Sequence, residues 1–211
     1  LHARPPDSAR NTPGDERGRA ALRDMSRIFA RVERLRAPSL CAITGPRQGA
    51  GRARDVTEVV TIVMATRNGA AHLPEQLASI AAQSHAAWRL FVSDDGSNDQ
   101  TLAILEEFSR DHPVQIVAGP QSGAAANFLS ALCHPDLPPG PVALADQDDV
   151  WLRGKLARGL RRMAAAQGSG PLLYAAESLL VDAALQPLRR SSANAAEPGF
   201  AAALCQNLFG G

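Results

Sequence analysis

From Val59 onward the chain alternates two hydrophobic patterns. Short, nearly all-apolar runs rich in β-branched residues are followed by stretches whose apolar positions recur at helical spacing. Val59 to Ala65 is such a run and reads as a strand buried on both faces. Arg67-Asn68-Gly69 supplies turn chemistry, and Leu73, Leu77 and Ile80 then mark a helix from Leu73 to Gln83. The same alternation predicts a strand at Trp88 to Ser93, a turn at Asp94-Asp95-Gly96-Ser97, and a helix from Asp99 to Arg110 capped by Ser97 or Asn98. Val114 to Ala118 reads as a strand, Gly123 to Leu132 as a helix, and Pro135 to Pro141 as a loop. Val142 to Ala145 is a fourth strand, Trp151 to Ala166 a fourth helix, and Leu172 to Val181 a further strand.

Strands that alternate with helices at this spacing predict an α/β fold with a mostly parallel sheet covered on both faces. In such sheets the ligand lies beyond the carboxyl ends of the strands. Three polar clusters fall at those ends: Thr66-Arg67-Asn68 after the first strand, Asp94-Asp95 after the second, and Asp146 to Asp149 after the fourth. Their convergence on one crevice is the main expectation drawn from the pattern.

Residues 1–55 differ in texture from residues 56–211. They are rich in Pro, Gly, Arg and Ala, with one short amphipathic stretch from Ala20 to Leu35 before Pro38, Gly45, Pro46, Gly49 and Gly51. They carry 12 Arg against 6 acidic residues, so the net charge of +1 hides a basic segment attached to an acidic domain. Without aromatic interleaving this reads as a solvated, disordered tail rather than a nucleic-acid site. Cys41, Cys133 and Cys205 show no metal-ligand spacing and fit a reducing cytosol. No apolar run approaches the roughly 18 residues of a membrane span. The expected location is cytoplasmic, compatible with contact at the inner face of a membrane.

Asp146-Gln147-Asp148-Asp149 is the sharpest chemical feature. Carboxylates this close repel each other unless a cation sits among them. Mg²⁺ and Mn²⁺ take oxygen ligands and bind through one or two carboxylates plus substrate phosphates. The same acids also suit the N-terminus of the following helix, and the two readings stay open on spacing alone. Asp94-Asp95-Gly96-Ser97 offers carboxylates to a base or ribose, or a plain turn. Its partial match to a calcium loop fails where Gln100 stands in place of the required glycine. Gly123 to Asn127 allows close backbone approach to a ligand or simply starts a helix. Lys155, the one lysine, is placed either to meet a phosphate or as a solvated helix residue, and His72, His85, His112 and His134 read as surface residues. Triad-hydrolase, zincin, P-loop and dinucleotide fingerprints are absent.

Several ordered stretches resemble family 2 glycosyltransferases. They are Val60 to Gly69, Glu75 to Ser84, Ser93-Asp94-Asp95-Gly96-Ser97-Asn98-Asp99-Gln100-Thr101, Asn127-Phe128-Leu129, and Ala145 to Leu152. The last is similar to the DxD-containing segment of bacterial rhamnosyltransferase-like members. The resemblance implies a Rossmann-like GT-A fold, a UDP- or dTDP-sugar donor, a divalent metal (Mn²⁺ or Mg²⁺), and a glycan or lipid-linked acceptor. It places Thr66, Arg67, Asn68, Asp94, Asp95, Gly123, Asn127 and Asp146 at the nucleotide sugar, and Asp146 and Asp148 at the metal, with Asp149 beside them. Arg67 stands where the family usually has an aromatic residue. The family's chemistry is inverting, and its general base is an acidic residue well downstream of the DxD segment. Gly211 follows Asp149 by 62 residues, and only Glu177, Asp182 and Glu197 are acidic between them, so the chain is expected to be truncated with its base beyond Gly211. Two other readings share the crevice: a sugar-phosphate nucleotidyltransferase, for which Arg67-Asn68-Gly69 is a thin phosphate loop, and a degenerate nucleotide- or carbohydrate-binding module without turnover.

Overall fold

A computed structural model describes residues 58–166, 172–176, 178–182 and 185–190. The expected tail, its amphipathic stretch, Glu177 and Glu197 lie outside the described residues. The elements run β1 (Val60–Thr66), α1 (Leu73–Ala81), β2 (Trp88–Asp94), α2 (Thr101–Phe108), β3 (Val114–Ala118), α3 (Ala124–Leu132), β4 (Val142–Asp146), α4 (Lys155–Ala165), β5 (Leu179–Val181) and β6 (Pro187–Arg190).

The first four strands form one parallel sheet in the order β3-β2-β1-β4. Side chains alternate across it. Ile62, Met64, Leu90 and Val92 turn to one face, where they pack with Leu73, Leu77 and Ile80 of α1, Ile104, Leu105 and Phe108 of α2, and Leu156 and Leu160 of α4. Val63 and Phe91 turn to the other face, against Ala131 and Phe128 of α3. Helices therefore cover both faces, which is why Ile62 to Ala65 of β1 and Leu90 to Val92 of β2 are unbroken apolar runs. Each large side chain buried this way contributes about 1.5–3 kcal/mol. β4 stands at the edge of the described sheet, with Val142 and Leu144 exposed.

The chain first steps β1 to β2 to β3 in one direction and then crosses back to the far side of β1 as β4. The strand order thus reverses between β1 and β4. Such a reversal opens a crevice at the carboxyl ends of the two strands, because their connections leave in opposite directions.

Three expectations need correction. Trp151 to Gly154 is irregular and α4 begins at Lys155. The Trp151 N–H donates to Ser79 Oγ, and the Leu152 carbonyl accepts from Gln83 Nε2. With these main-chain groups held by Ser79 of α1 and by Gln83 just past its end, the helix starts one turn late. Neither Ser97 nor Asn98 caps α2; Asp99 does the equivalent work, its carboxylate accepting from the Thr101 N–H and hydroxyl. The run from Leu172 is strand only at Leu179–Val181, which pairs antiparallel with β6. Leu172 and Leu173 are exposed, and residues 172–176 are not strand.

Candidate functional site

Thr66 ends β1 beside Asp94 at the end of β2, and the two are register partners. The Thr66 hydroxyl donates to Asp94 Oδ2 at 2.8 Å. Asp94 also accepts from the Gly96 and Ser97 N–H groups and from the Ser97 hydroxyl. Its carboxylate is therefore consumed in building the turn.

The next residue faces the other way. Asp95 is 2% exposed, and its two carboxylate oxygens accept from the Gln121 N–H at 2.6 Å and the Gly123 N–H at 3.1 Å. Arg67 Nη1 lies 3.8 Å from Asp95 Oδ2 while the rest of that side chain is open to solvent. Asn127, buried on α3, accepts from the Ser93 hydroxyl and donates to the Ser93 carbonyl at 2.8 Å. Gly119 is required beside them. A Cβ there would overlap Asn127 Oδ1 and sit 2.9 Å from Asp95 Oδ1 and 3.0 Å from the Asp94 carbonyl.

The loop after β1 is tied from the β2 side. Asn68 N–H donates to Ser97 Oγ, Asn68 Oδ1 accepts from Asn98 N–H, and the N–H groups of Gly69 and Ala70 donate to Thr101 and Asp99. Asn68 takes a left-handed conformation (φ 48°), which asparagine tolerates better than most residues. From the β4 side a single residue reaches over. Gln147 Oε1 accepts from the Arg67 N–H at 2.9 Å, and Gln147 Nε2 donates to the Arg67 carbonyl at 3.1 Å.

The acidic loop itself is fastened from below by α1. Gln76 is fully buried and donates to the Asp146 carbonyl at 3.1 Å. Ser79 donates to Gln76 and accepts from the Trp151 N–H, and Gln83 holds the Leu152 carbonyl and the Leu156 N–H. Burial pushes the Asp146 carboxyl above its ordinary value, Asp148 pushes it further, and Lys155 opposes both, although the residue as a whole stays open to solvent. Burial raises Asp149 as well, against the pull of Lys155. Burial lowers Lys155, against the attraction of Asp149 and Asp146. Its Nζ lies 4.6 Å from the centre of the Trp151 ring, so Lys155 is a half-buried cation within the acidic cluster rather than a solvated helix residue.

These pieces enclose an open cleft of about 220 Å³ at the reversal between β1 and β4. Of the residues expected from sequence, Thr66, Arg67, Asp95, Asn127, Asp146 and Asp148 line it together, with Gln147 and Phe128. Asn68, Asp94 and Gly123 do not line it. They shape the loops that carry those that do. Asp182 lies in the β5–β6 turn, where it accepts from the Gln186 N–H, and is not part of the cleft wall.

Among the described residues no group of three or more His, Cys, Asp or Glu side chains is arranged to hold a metal ion. Asp146 and Asp148 nevertheless line one cleft as oxygen donors, and Lys155 offsets only part of the burial and repulsion at Asp146. That set does not fit a closed protein cage, but it fits a divalent cation that takes its remaining ligands from substrate phosphates.

Sequence reasoning missed Gln76, Ser79 and Gln83. Their signal is three buried polar residues at i, i+3 and i+7, two on the helix that carries Leu73, Leu77 and Ile80 and the third just past its end. It also misread two histidines. His112 packs its ring 4.2 Å from Phe108 and 5.5 Å from Trp88, and His134 lies 5.4 Å from Phe91; both are half-buried. Cys133 is a free, exposed thiol. Among the described residues no helix is long and apolar enough to cross a membrane.

Residues 61–175 match the family described as "Glycosyl transferase family 2". The chain is 37% identical over 102 residues to the dTDP-rhamnosyl transferase RfbG of Shigella flexneri, a match covering 46% of this chain and 35% of that protein. It is 30% identical over 147 residues to the putative teichuronic acid biosynthesis glycosyltransferase TuaG of Bacillus subtilis, covering 61% of this chain and 57% of that one. The aligned parts thus span between about a third and somewhat over half of these relatives. Among solved structures, the mannosyltransferase PcManGT from Pyrobaculum calidifontis in complex with GDP-Man and Mn²⁺ is similar with a TM-score of 0.46 and 22% identity, over 70% of this chain and 44% of that one.

Proposed function

The chain belongs to glycosyl transferase family 2, and on that footing we propose that it carries the donor side of an inverting glycosyltransferase. The donor is a UDP- or dTDP-sugar, and the acceptor is a hydroxyl of a glycan or lipid-linked glycan in cell-surface polysaccharide synthesis. The observation that most supports this is the meeting of three strand ends and α3 in one cleft, with a buried hydrogen-bonding wall on one side and two carboxylates on the other. The dTDP-rhamnosyl transferase among the relatives favours pyrimidine nucleotides as the first to test.

In this reading the nucleoside lies over Thr66, Arg67 and Asp95. Asp95 is held rigid by two N–H groups and keeps a fixed acceptor edge for a ribose hydroxyl or base N–H. The Arg67 guanidinium offers a flat cationic face where the family has an aromatic one. Asp146 and Asp148 would hold a divalent cation, which neutralises the charge that builds on the diphosphate as it leaves. Asn68, Asp94 and Gly123 act by setting the two loops, and Asn127 by holding α3 against β2. Gln76 and Gln83 fasten the main chain on either side of the acidic loop.

Calorimetric titration of the 211-residue chain and of Asp148→Ala with UDP and dTDP, with and without Mn²⁺, tests the reading. Metal-dependent binding that disappears in the variant supports it. Binding of equal strength without Mn²⁺ and in Asp148→Ala would replace it with a nucleotide-binding module that uses no metal.

A further inference from the structure

Gln147 stands between Asp146 and Asp148, yet its side chain belongs to the opposite wall of the cleft. The ladder between β1 and β4 ends at the pair Ala65 and Asp146. Beyond it the two chains diverge around the crevice, and the Gln147 amide closes the gap. It accepts from the Arg67 N–H and donates to the Arg67 carbonyl, completing the pair of bonds a further strand residue would have made. A primary amide suits this role because its terminus carries a donor and an acceptor on separate atoms, set to meet the N–H and the carbonyl of one residue. Glutamate keeps the acceptor and sets an anion against the Arg67 carbonyl. Asparagine is one methylene too short.

A second observation comes from the facing loop. A Cβ at Gly69 would overlap Gln147 Oε1 and lie 2.7 Å from its Cδ. Gly69 is not among the described residues with positive φ, so its lack of a side chain serves space and not backbone conformation. A methyl there would push the amide, the far end of a flexible side chain, away from Arg67. Below, Gln76 holds the Asp146 carbonyl. The acidic loop is thus pinned at one residue by α1 and at the next by Arg67.

We propose that Gln147 is a positioning residue that couples the two walls of the cleft, so that a cation on Asp146 and Asp148 and a nucleoside over Arg67 and Asp95 strengthen each other's binding. This rests on the donor-binding reading above. A shift of the acidic loop toward a cation pulls on the Arg67 main chain through the amide, and a nucleoside that orders the Arg67 loop orders Gln147 in turn. Without the amide the walls respond separately.

The test measures the ratio of UDP or dTDP affinity with Mn²⁺ to that without, in the unaltered chain, Gln147→Ala, Gln147→Glu, Gly69→Ala and the double variant Gly69→Ala/Gln147→Ala. Hydrogen exchange of the Arg67 amide is followed in the absence of any ligand. The ratio should fall about tenfold in Gln147→Ala and Gly69→Ala, where both hydrogen bonds are lost, and by less in Gln147→Glu, which keeps the acceptor. The double variant should be no worse than Gln147→Ala, because the added methyl then meets no amide, and this non-additivity separates coupling from misfolding. Arg67 amide exchange should quicken about tenfold in Gln147→Ala. An unchanged ratio, additive single effects, or unchanged exchange overturns the coupling and leaves the donor reading intact. An unaltered chain that binds neither nucleotide overturns the donor reading, and the coupling falls with it.

Discussion

The side-chain amide of Gln76 donates to the main-chain carbonyl of Asp146, 70 residues further along the chain. Gln76 is fully buried among leucines and an isoleucine on α1. An apolar residue in its place would pack comfortably but leave the Asp146 carbonyl without this donor, while the Ser79 hydroxyl keeps the main-chain carbonyl of residue 76. Gln76→Leu is therefore expected to cost about 1–3 kcal/mol in urea denaturation. It should also weaken Mn²⁺-dependent nucleotide binding, although residue 76 touches no ligand. Full stability in the variant would show that the bond is dispensable.

Asp146→Asn separates stability from binding. Burial and Asp148 raise the carboxyl of Asp146 in the folded chain, with Lys155 opposing. The folded state therefore holds a proton that the unfolded state has already released. The resulting stability is present below the ordinary aspartate value and is lost as pH rises through the raised value. At neutral pH the metal-free variant should melt higher than the unaltered chain, and the difference should shrink toward pH 4. Calorimetry across that range, together with loss of Mn²⁺-dependent binding, checks both halves.

His112 works in the opposite direction. Burial against Phe108 and Trp88 lowers its ring below the ordinary histidine value, and Asp111 only partly offsets this. The unfolded chain binds the proton more readily. This contribution is present above about pH 6.5 and is lost as pH falls through the lowered folded value. His112→Phe should flatten the decline in urea midpoint on that side of neutrality while preserving the ring contacts. An unchanged profile would assign the decline to other groups.

Gly119→Ala is the sharpest steric probe of the nucleoside wall. The added methyl meets Asn127, Asp95 and a main-chain carbonyl, none of which is the far end of a flexible chain. Overpacking of this kind costs about 1–3 kcal/mol. The variant should also lose nucleotide affinity in the absence of metal, because it displaces Asp95. Wild-type affinity would move the nucleoside elsewhere.

The sheet and most of its helices are legible in the sequence because burial on two faces leaves an unmistakable apolar run, and burial on one helical face leaves a period. The cleft is legible for a related reason: Thr66, Asp95 and Asp146 interrupt apolar strands abruptly, and strand ends in a parallel sheet point the same way. What stays hidden is whatever depends on a partner far along the chain. Asp94 and Asp95 read alike, yet one turns into the loop and the other into the cleft. Gln76, Ser79 and Gln83 look like ordinary surface polarity until α4 is seen to start late because of them. Lys155 reads as a solvated residue because nothing local announces the Trp151 ring beneath it.

β4 carries the acidic cluster at one end and forms the open edge of the described sheet along its length, with Val142 and Leu144 bare to solvent. An uncovered edge with apolar side chains invites another strand, from the same molecule or from a neighbour. A strand added there would impose its own twist on β4 and swing Asp146 with it. The exposure of that edge and the placement of Asp146 are consequently tied to the same five residues, and a substitution meant to improve solubility there is expected to move the carboxylate as well.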